Sequence, residues 1–197
     1  MKPILFNTEM VRAILDGRKT QTRRLVKNIP LQEPYFEVVD GIPYACDVDG
    51  EWHPAVEFSP IRKGDVLWVR ETWCALPVSP GGHIRIPDRY YYRADPELRP
   101  EAWRGKWRPS IHMPKEAARL FLRVTNVRCE RVQEITSGGA VAEGIKSDLR
   151  SPSEAADALI AFEELWDSTV RKDAIKRWGW DANPRVWVIE FERCEKP

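Results

Sequence analysis

The sequence is poor in most features that assign a function class on inspection. Its 4 cysteines, Cys46, Cys74, Cys129 and Cys194, lie far apart and form no C-x-x-C pair. Neither a zinc site nor a disulfide framework is indicated, and reduced thiols in a cytoplasm are expected. The chain has 3 histidines and no G-x-G-x-x-G, Walker A or H-E-x-x-H pattern. Dinucleotide, nucleoside-triphosphate and zincin chemistry therefore lack support, and no cofactor or metal is expected. No apolar run approaches about 18 residues. The opening MKPILFNTEM meets a glutamate before an apolar signal core could form, so neither secretion nor a membrane span is expected. An excess of one charge is also missing: 31 Lys plus Arg stand against 30 Asp plus Glu, a net +1. No global field draws the chain to a polyanion, and any nucleic-acid contact has to be local.

What is present describes an ordinary folded chain. Hydrophobic residues make up 43% and charged residues 31% of 197, enough for one core, so a single domain over 1–197 that folds as a monomer is expected. The 9 tryptophans are many, and an indole serves equally as core filler, interface anchor or base-stacking surface.

Patterning along the chain predicts many short strands and few helices. Ile4 to Phe6 reads as a strand. A helix follows with Thr8 as N-cap and Met10, Val11, Ile14 and Leu15 on one face, ended by Gly17. Lys19 to Val26 reads as extended. Between about 29 and 60 the turn signals Asp40-Gly41 and Asp49-Gly50 predict hairpins, taken as an insertion. Val66 to Glu71 reads as a strand buried on both faces. A second insertion is expected at about 77–109, with a strand at Asp88 to Arg93. Arg119 to Val132 reads as a long strand with Leu120, Leu122 and Val124 on one face. Ser137 to Glu143 reads as a short helix stopped by Gly144. Pro152 to Thr169 reads as a longer one, offering Ala156, Leu159, Ile160, Phe162, Leu165 and Trp166 for burial, and Val186 to Glu192 as a closing strand. Such an order indicates an α+β domain or a small barrel, not βαβ units.

Two places carry chemistry. In Gly17-Arg18-Lys19-Thr20-Gln21-Thr22-Arg23-Arg24, four cations and two hydroxyls crowd after a helix stop, which suits an anion or a base edge; a solvated charged strand is the competing reading. On a regular strand Thr20, Thr22 and Arg24 share one face and Lys19, Gln21 and Arg23 the other, so joint action of Lys19 and Thr22 requires a bend or bulge near 17–20. The second is Glu143, at the negative end of its short helix, where burial would raise its pKa and let it carry a proton; an exposed glutamate is the alternative. Arg70, Glu71 and Trp73 could line a pocket or form a buried ion pair beside a core indole. His112 could be a general acid or a structural hydrogen-bonder. Trp178 and Trp180, beside Lys176, Arg177 and Arg185, suit single-stranded RNA or plain packing.

Gly17, Lys19, Thr22 and Arg24 match the G-x-K-x-x-T-x-R signature of the ASCH family, relatives of the PUA RNA-binding domains. Gly64 to Trp73, Pro109 to Pro114 and Asp181 to Pro184 resemble the larger ASCH proteins of phages and prophages. The resemblance spans nearly the whole chain. It implies a small PUA-like β-barrel with flanking helices and the two insertions, and a nucleobase, modified nucleoside or RNA as partner. Small bacterial members hydrolyse the amide of 4-acetylcytidine; carried across by motif, Thr22 would be the nucleophile, Lys19 its activating base and Glu143 the proton carrier. Gly17, Arg24, Arg70, Glu71, Trp73 and His112 would line the substrate or RNA site. Three functions stay open: a recognition module acting through the signature, a hydrolase (amidohydrolase or metal-independent ribonuclease), and a phage structural or host-interaction protein.

Overall fold

A computed structural model describes residues 1–27, 36–75, 90–95 and 106–197; parts of both expected insertions, and Asp88 and Arg89 of the expected strand, fall outside them. In chain order the elements are β1 (Lys2–Leu5), α1 (Thr8–Leu15), β2 (Gln21–Leu25), β3 (Phe36–Val39), β4 (Ile42–Cys46), β5 (Trp52–Pro54), β6 (Val66–Arg70) and β7 (Trp73–Ala75). They continue with β8 (Tyr90–Tyr92), β9 (Phe121–Arg131), α2 (Ser137–Ala142), α3 (Pro152–Thr169), α4 (Ile175–Trp178) and β10 (Arg185–Cys194). The chain divides into two compact units: Met1–Gly17 with Val66–Arg123 and Arg193–Pro197, and Arg18–Asp65 with Val124–Glu192.

In the first unit β1 runs parallel to β6, with Ile4 opposite Val69. β6 is antiparallel to the first residues of β9, with Leu67 opposite Leu122. The N-cap of α1 is Asn7, whose Oδ1 accepts from the Met10 N–H at 2.8 Å, one residue before the Thr8 expected. An Asx side chain one residue earlier satisfies the same orphan donor. Val11, Ala13 and Ile14 are buried, while Met10 and Leu15 are only half-buried. Gly17 ends the helix at φ +75° with open space where a Cβ would sit, so the backbone sign and not crowding requires glycine. β7 and β8 pair antiparallel, with Trp73 opposite Tyr92. Trp68, Trp73, Met113, Ala117, Ala118 and Phe121 form one buried cluster of its core.

In the second unit both turn signals produce hairpins. Asp40 (φ 52°) and Gly41 (φ 77°) form the two-residue loop of β3 and β4, the left-handed pair an Asp-Gly turn supplies, and Gly50 (φ 86°) lies between β4 and β5. β9, β10 and β2 are neighbours in that order. Along β9 the buried residues are Phe121, Leu122 and Val124, then Val127 and Cys129. Leu120, Leu122 and Val124 are buried, as expected, and beyond them the alternation changes phase at Val127 and Cys129. β10 buries Val186 to Ile189 and Phe191. α3 has the limits expected, capped by Ser151 Oγ on the Glu154 N–H with Pro in its first turn. Its buried stripe is Ala158, Phe162 and Trp166, spaced by four. Ile160 is 55% exposed and Ala156 also faces outward, against expectation, because their positions fall off that stripe. Around it pack Val132, Ile135, Ala140, Val186 and Val188.

The architecture is α+β. β1 has one strand neighbour, β6, and β2 has one, β10, so among the described residues the ladder does not close into a barrel. No described helix is long and apolar enough to cross a membrane.

Candidate functional site: a buried lysine and glutamate at the signature strand

The signature meets Glu143 through the end of α2. Thr136 starts that helix, its Oγ1 accepting from the Gly139 N–H at 3.0 Å. Gly144, at φ 103°, stops it. A helix end leaves carbonyls without intrahelical donors, and here residues 18–20 supply them. Arg18 donates to the Gly144 carbonyl at 2.8 Å, Lys19 Nζ to the Glu143 carbonyl at 2.8 Å, and the Thr20 N–H to the Ala142 carbonyl at 2.9 Å. Two cations thereby sit at the negative end of the helix dipole. Gly139 is needed for the close approach: a Cβ there would lie 3.3 Å from Gln21 Nε2 and 3.1 Å from Ile135 Cγ1.

Lys19 Nζ also donates to Glu143 Oε2 at 2.7 Å, both side chains being buried at 0% and 4% exposure. The second carboxylate oxygen, Oε1, accepts from Arg23 at 3.2 Å. Arg23 reaches Glu130 with its other terminal nitrogen at 3.2 Å and stacks 5.6 Å from the Phe162 ring centroid. Glu143 is therefore not a lone carboxylate at a helix C-terminus: two cations compensate it. Burial drives the Lys19 ammonium below its ordinary pKa; Glu143 opposes this, and Arg24 and Arg23 add to it. A lysine so placed can exchange a proton more readily than an exposed one.

Lys19 and Arg23 both bond Glu143, and Gln21 Nε2 donates to the Gly139 carbonyl at 3.2 Å, so Gln21 and Arg23 share the face of β2 toward α2, and Lys19, just before the strand, turns the same way. Thr22, of opposite parity and opposite Ile189 in the ladder, is 1% exposed and no hydrogen bond among the described residues links it to Lys19. The structure thus unites Lys19 with Glu143 and leaves Thr22 on the other face. Arg24 pairs with Trp187 in the ladder; burial lowers its pKa, with Glu143 opposing.

Beside this constellation lies a cavity of about 670 Å³ lined by Arg23, Arg24, Leu25, Lys27, Trp166, Thr169, Val170, Arg171, Ala174 and Trp178. A second cavity, of about 610 Å³, mixes Asp47 and Glu57 with Arg62, Lys63 and His53 and has no single charge sign.

Arg70, Glu71, Trp73 and His112 belong to the other unit. Glu71 is buried and takes Arg119 as a fork, Nε to Oε1 at 2.9 Å and an Nη to Oε2 at 3.0 Å, while Arg119 also holds Asp95 and lies 3.9 Å from the Tyr92 ring centroid. The ion pair foreseen there exists, but with Arg119 in place of Arg70. Burial raises the Glu71 pKa, with Arg119 opposing. Arg70 donates to the Ile111 carbonyl, Trp73 is a core indole at 4% exposure and His112 is exposed. Arg23, Gln21 and Glu130 were not singled out from sequence as site residues, although period-two alternation alone places Arg23 and Gln21 beside Lys19. Trp180 meets Phe162 edge-on at 6.1 Å, as packing would have it.

Comparison with protein-family models, with curated proteins and with solved structures returns no match.

Proposed function

We propose that this chain recognises a nucleobase or RNA through its signature strand, as a PUA-like protein of ASCH type. One observation carries the reading: β2 delivers Arg23 and Arg24 to a cavity that also holds Lys27, Arg171 and two indoles, with no carboxylate among the described residues that line it. Cations and aromatic faces are what a base and its phosphate require. The buried Lys19 and Glu143 pair fixes the strand that bears them. Purified protein incubated with a mixed RNA pool and a nucleoside panel tests this by mass spectrometry of the retained ligand. Retention that Arg24→Ala weakens at least tenfold is expected; no retention of any RNA or nucleoside overturns the reading.

A second reading, amide hydrolysis on an acylated cytidine or metal-independent RNA cleavage, is favoured by Lys19 alone, a desolvated amine held at 2.7 Å from a carboxylate. Thr22 as nucleophile would need to cross to the face of Lys19. Turnover of acylated cytidines, or shortening of oligonucleotides, that is lost in both Thr22→Ala and Lys19→Ala supports this reading. Full activity in Thr22→Ala removes the nucleophile assignment.

A further inference from the structure

We infer that the cavity beside β2 takes a phosphate-bearing, single-stranded segment of nucleic acid, its backbone along Arg24, Lys27 and Arg171 and one base against Trp178. The inference rests on the nucleic-acid reading above and narrows it from any nucleobase to a ligand that carries phosphate.

The charge of the lining comes first. Among the described residues that line the cavity, four are cations and none is acidic. Arg23 is already compensated by Glu143 and Glu130. Lys27 is exposed. Arg171 touches Asp173 at 2.9 Å, but both side chains are open to water, at 81% and 69% exposure, and such a pair exchanges partners at little cost. A neutral nucleoside would leave the charges of Lys27 and Arg171 to water, whereas a phosphodiester answers them. Moreover, Arg23, only 4% exposed, keeps a buried donor, Nε, with no hydrogen-bond partner among the described residues. A buried polar atom left unmatched in a residue that lines a cavity calls for an explanation.

The aromatic wall is the second line. Trp166 Nε1 donates to the Trp178 carbonyl at 3.0 Å, which ties the short α4 to α3 and fixes where Trp178 stands. Trp178 is half-buried, and the Arg177 guanidinium lies 4.6 Å from its ring centroid. A partly open indole among cations is the usual platform for an unpaired base. Size is the third: about 670 Å³ lies within the range of small-ligand sites and suits one or two nucleotides, not a duplex.

The test measures binding of a 5′-labelled mixed-sequence RNA octamer by fluorescence anisotropy across a salt series. The same-sequence DNA octamer, free nucleosides, nucleoside 5′-monophosphates and a polyglutamate peptide serve as competitors. Wild type is expected to bind the octamer, and monophosphates to compete better than nucleosides. Lys27→Glu with Arg171→Glu should weaken binding at least tenfold and flatten the log–log salt slope by about 1 to 2. Trp178→Ala should weaken it about tenfold while leaving the slope in place. Unchanged octamer binding in the double variant, alongside loss in Arg24→Ala, overturns this inference and leaves the broader reading standing. Nucleosides that compete as well as monophosphates do the same. Polyglutamate competing as well as RNA, with Trp178→Ala silent, replaces nucleic acid by an acidic peptide. No binding of octamer or nucleoside by wild type overturns both. Lys27 and Arg171 are exposed, so their exchange spares the core; Lys27→Glu alone and Trp178→Phe are the fallbacks if circular dichroism shows a folding loss.

Discussion

At the residue scale, the two members of the buried pair should respond unequally to mutation. Glu143 neutralises both Lys19 and Arg23, so Glu143→Gln leaves two buried cations facing a neutral amide. Lys19→Met removes one charge and leaves Glu143 with Arg23. Breaking a buried pair from one side costs about 3–5 kcal/mol; that range is expected for Glu143→Gln, and roughly half of it for Lys19→Met. Urea unfolding of both variants checks the order, and a larger loss in Lys19→Met would show that Arg23 does not share the carboxylate. A parallel expectation holds for Glu71. Its two oxygens are matched by the planar fork of Arg119, which a lysine cannot reproduce. Arg119→Lys should therefore destabilise by about 1–3 kcal/mol although it preserves charge, and a melting temperature equal to wild type would refute it.

At the element scale, the approach of β2 to α2 depends on Gly139. A methyl group there meets Ile135 and Gln21 at 3.1 and 3.3 Å, so Gly139→Ala pits helix propensity against contact with two neighbours. The contact should prevail, giving a loss of about 1 kcal/mol where an unobstructed helix would gain a similar amount. Gly138, whose nearest neighbour atom would be 3.9 Å from such a Cβ, is the internal control: Gly138→Ala should be neutral or stabilising. A chemical-denaturation comparison in which both alanine variants gain stability would remove the packing argument.

For the molecule as a whole, pH dependence follows from buried groups that lose protons late. Burial pushes the Cys129 thiol up to about 11, against the pull of Arg185, from an ordinary 9.0. It likewise pushes the Tyr92 phenol up to about 12, with Arg119 opposing. For a raised folded-state value the stabilisation is present below the unfolded pKa and disappears as pH climbs to the folded one. Cys129 should thus remove up to about 2–3 kcal/mol between pH 9 and 11 at roughly 1.4 kcal/mol per pH unit. Melts from pH 8 to 11 should fall less steeply in Cys129→Ala than in wild type; equal slopes would disprove the assignment.

What the sequence determined by itself is local. Asp40-Gly41 dictated a hairpin because an Asp-Gly pair accepts two left-handed residues cheaply, Pro152 marked where α3 starts, and Gly17 and Gly144 marked helix ends by the positive φ each end requires. Alternation already grouped Lys19, Gln21 and Arg23 on one strand face. Only the tertiary structure decided which partner each charge takes. Lys19 and Glu143 are 124 residues apart and Glu71 and Arg119 are 48 apart, and no periodicity reports on pairs at such separations. Tertiary packing also turned Trp73 into core and moved the buried stripe of α3 onto Ala158, Phe162 and Trp166. Which side of a helix is buried depends on what lies against it, and the helix's own residues leave more than one apolar face to choose from.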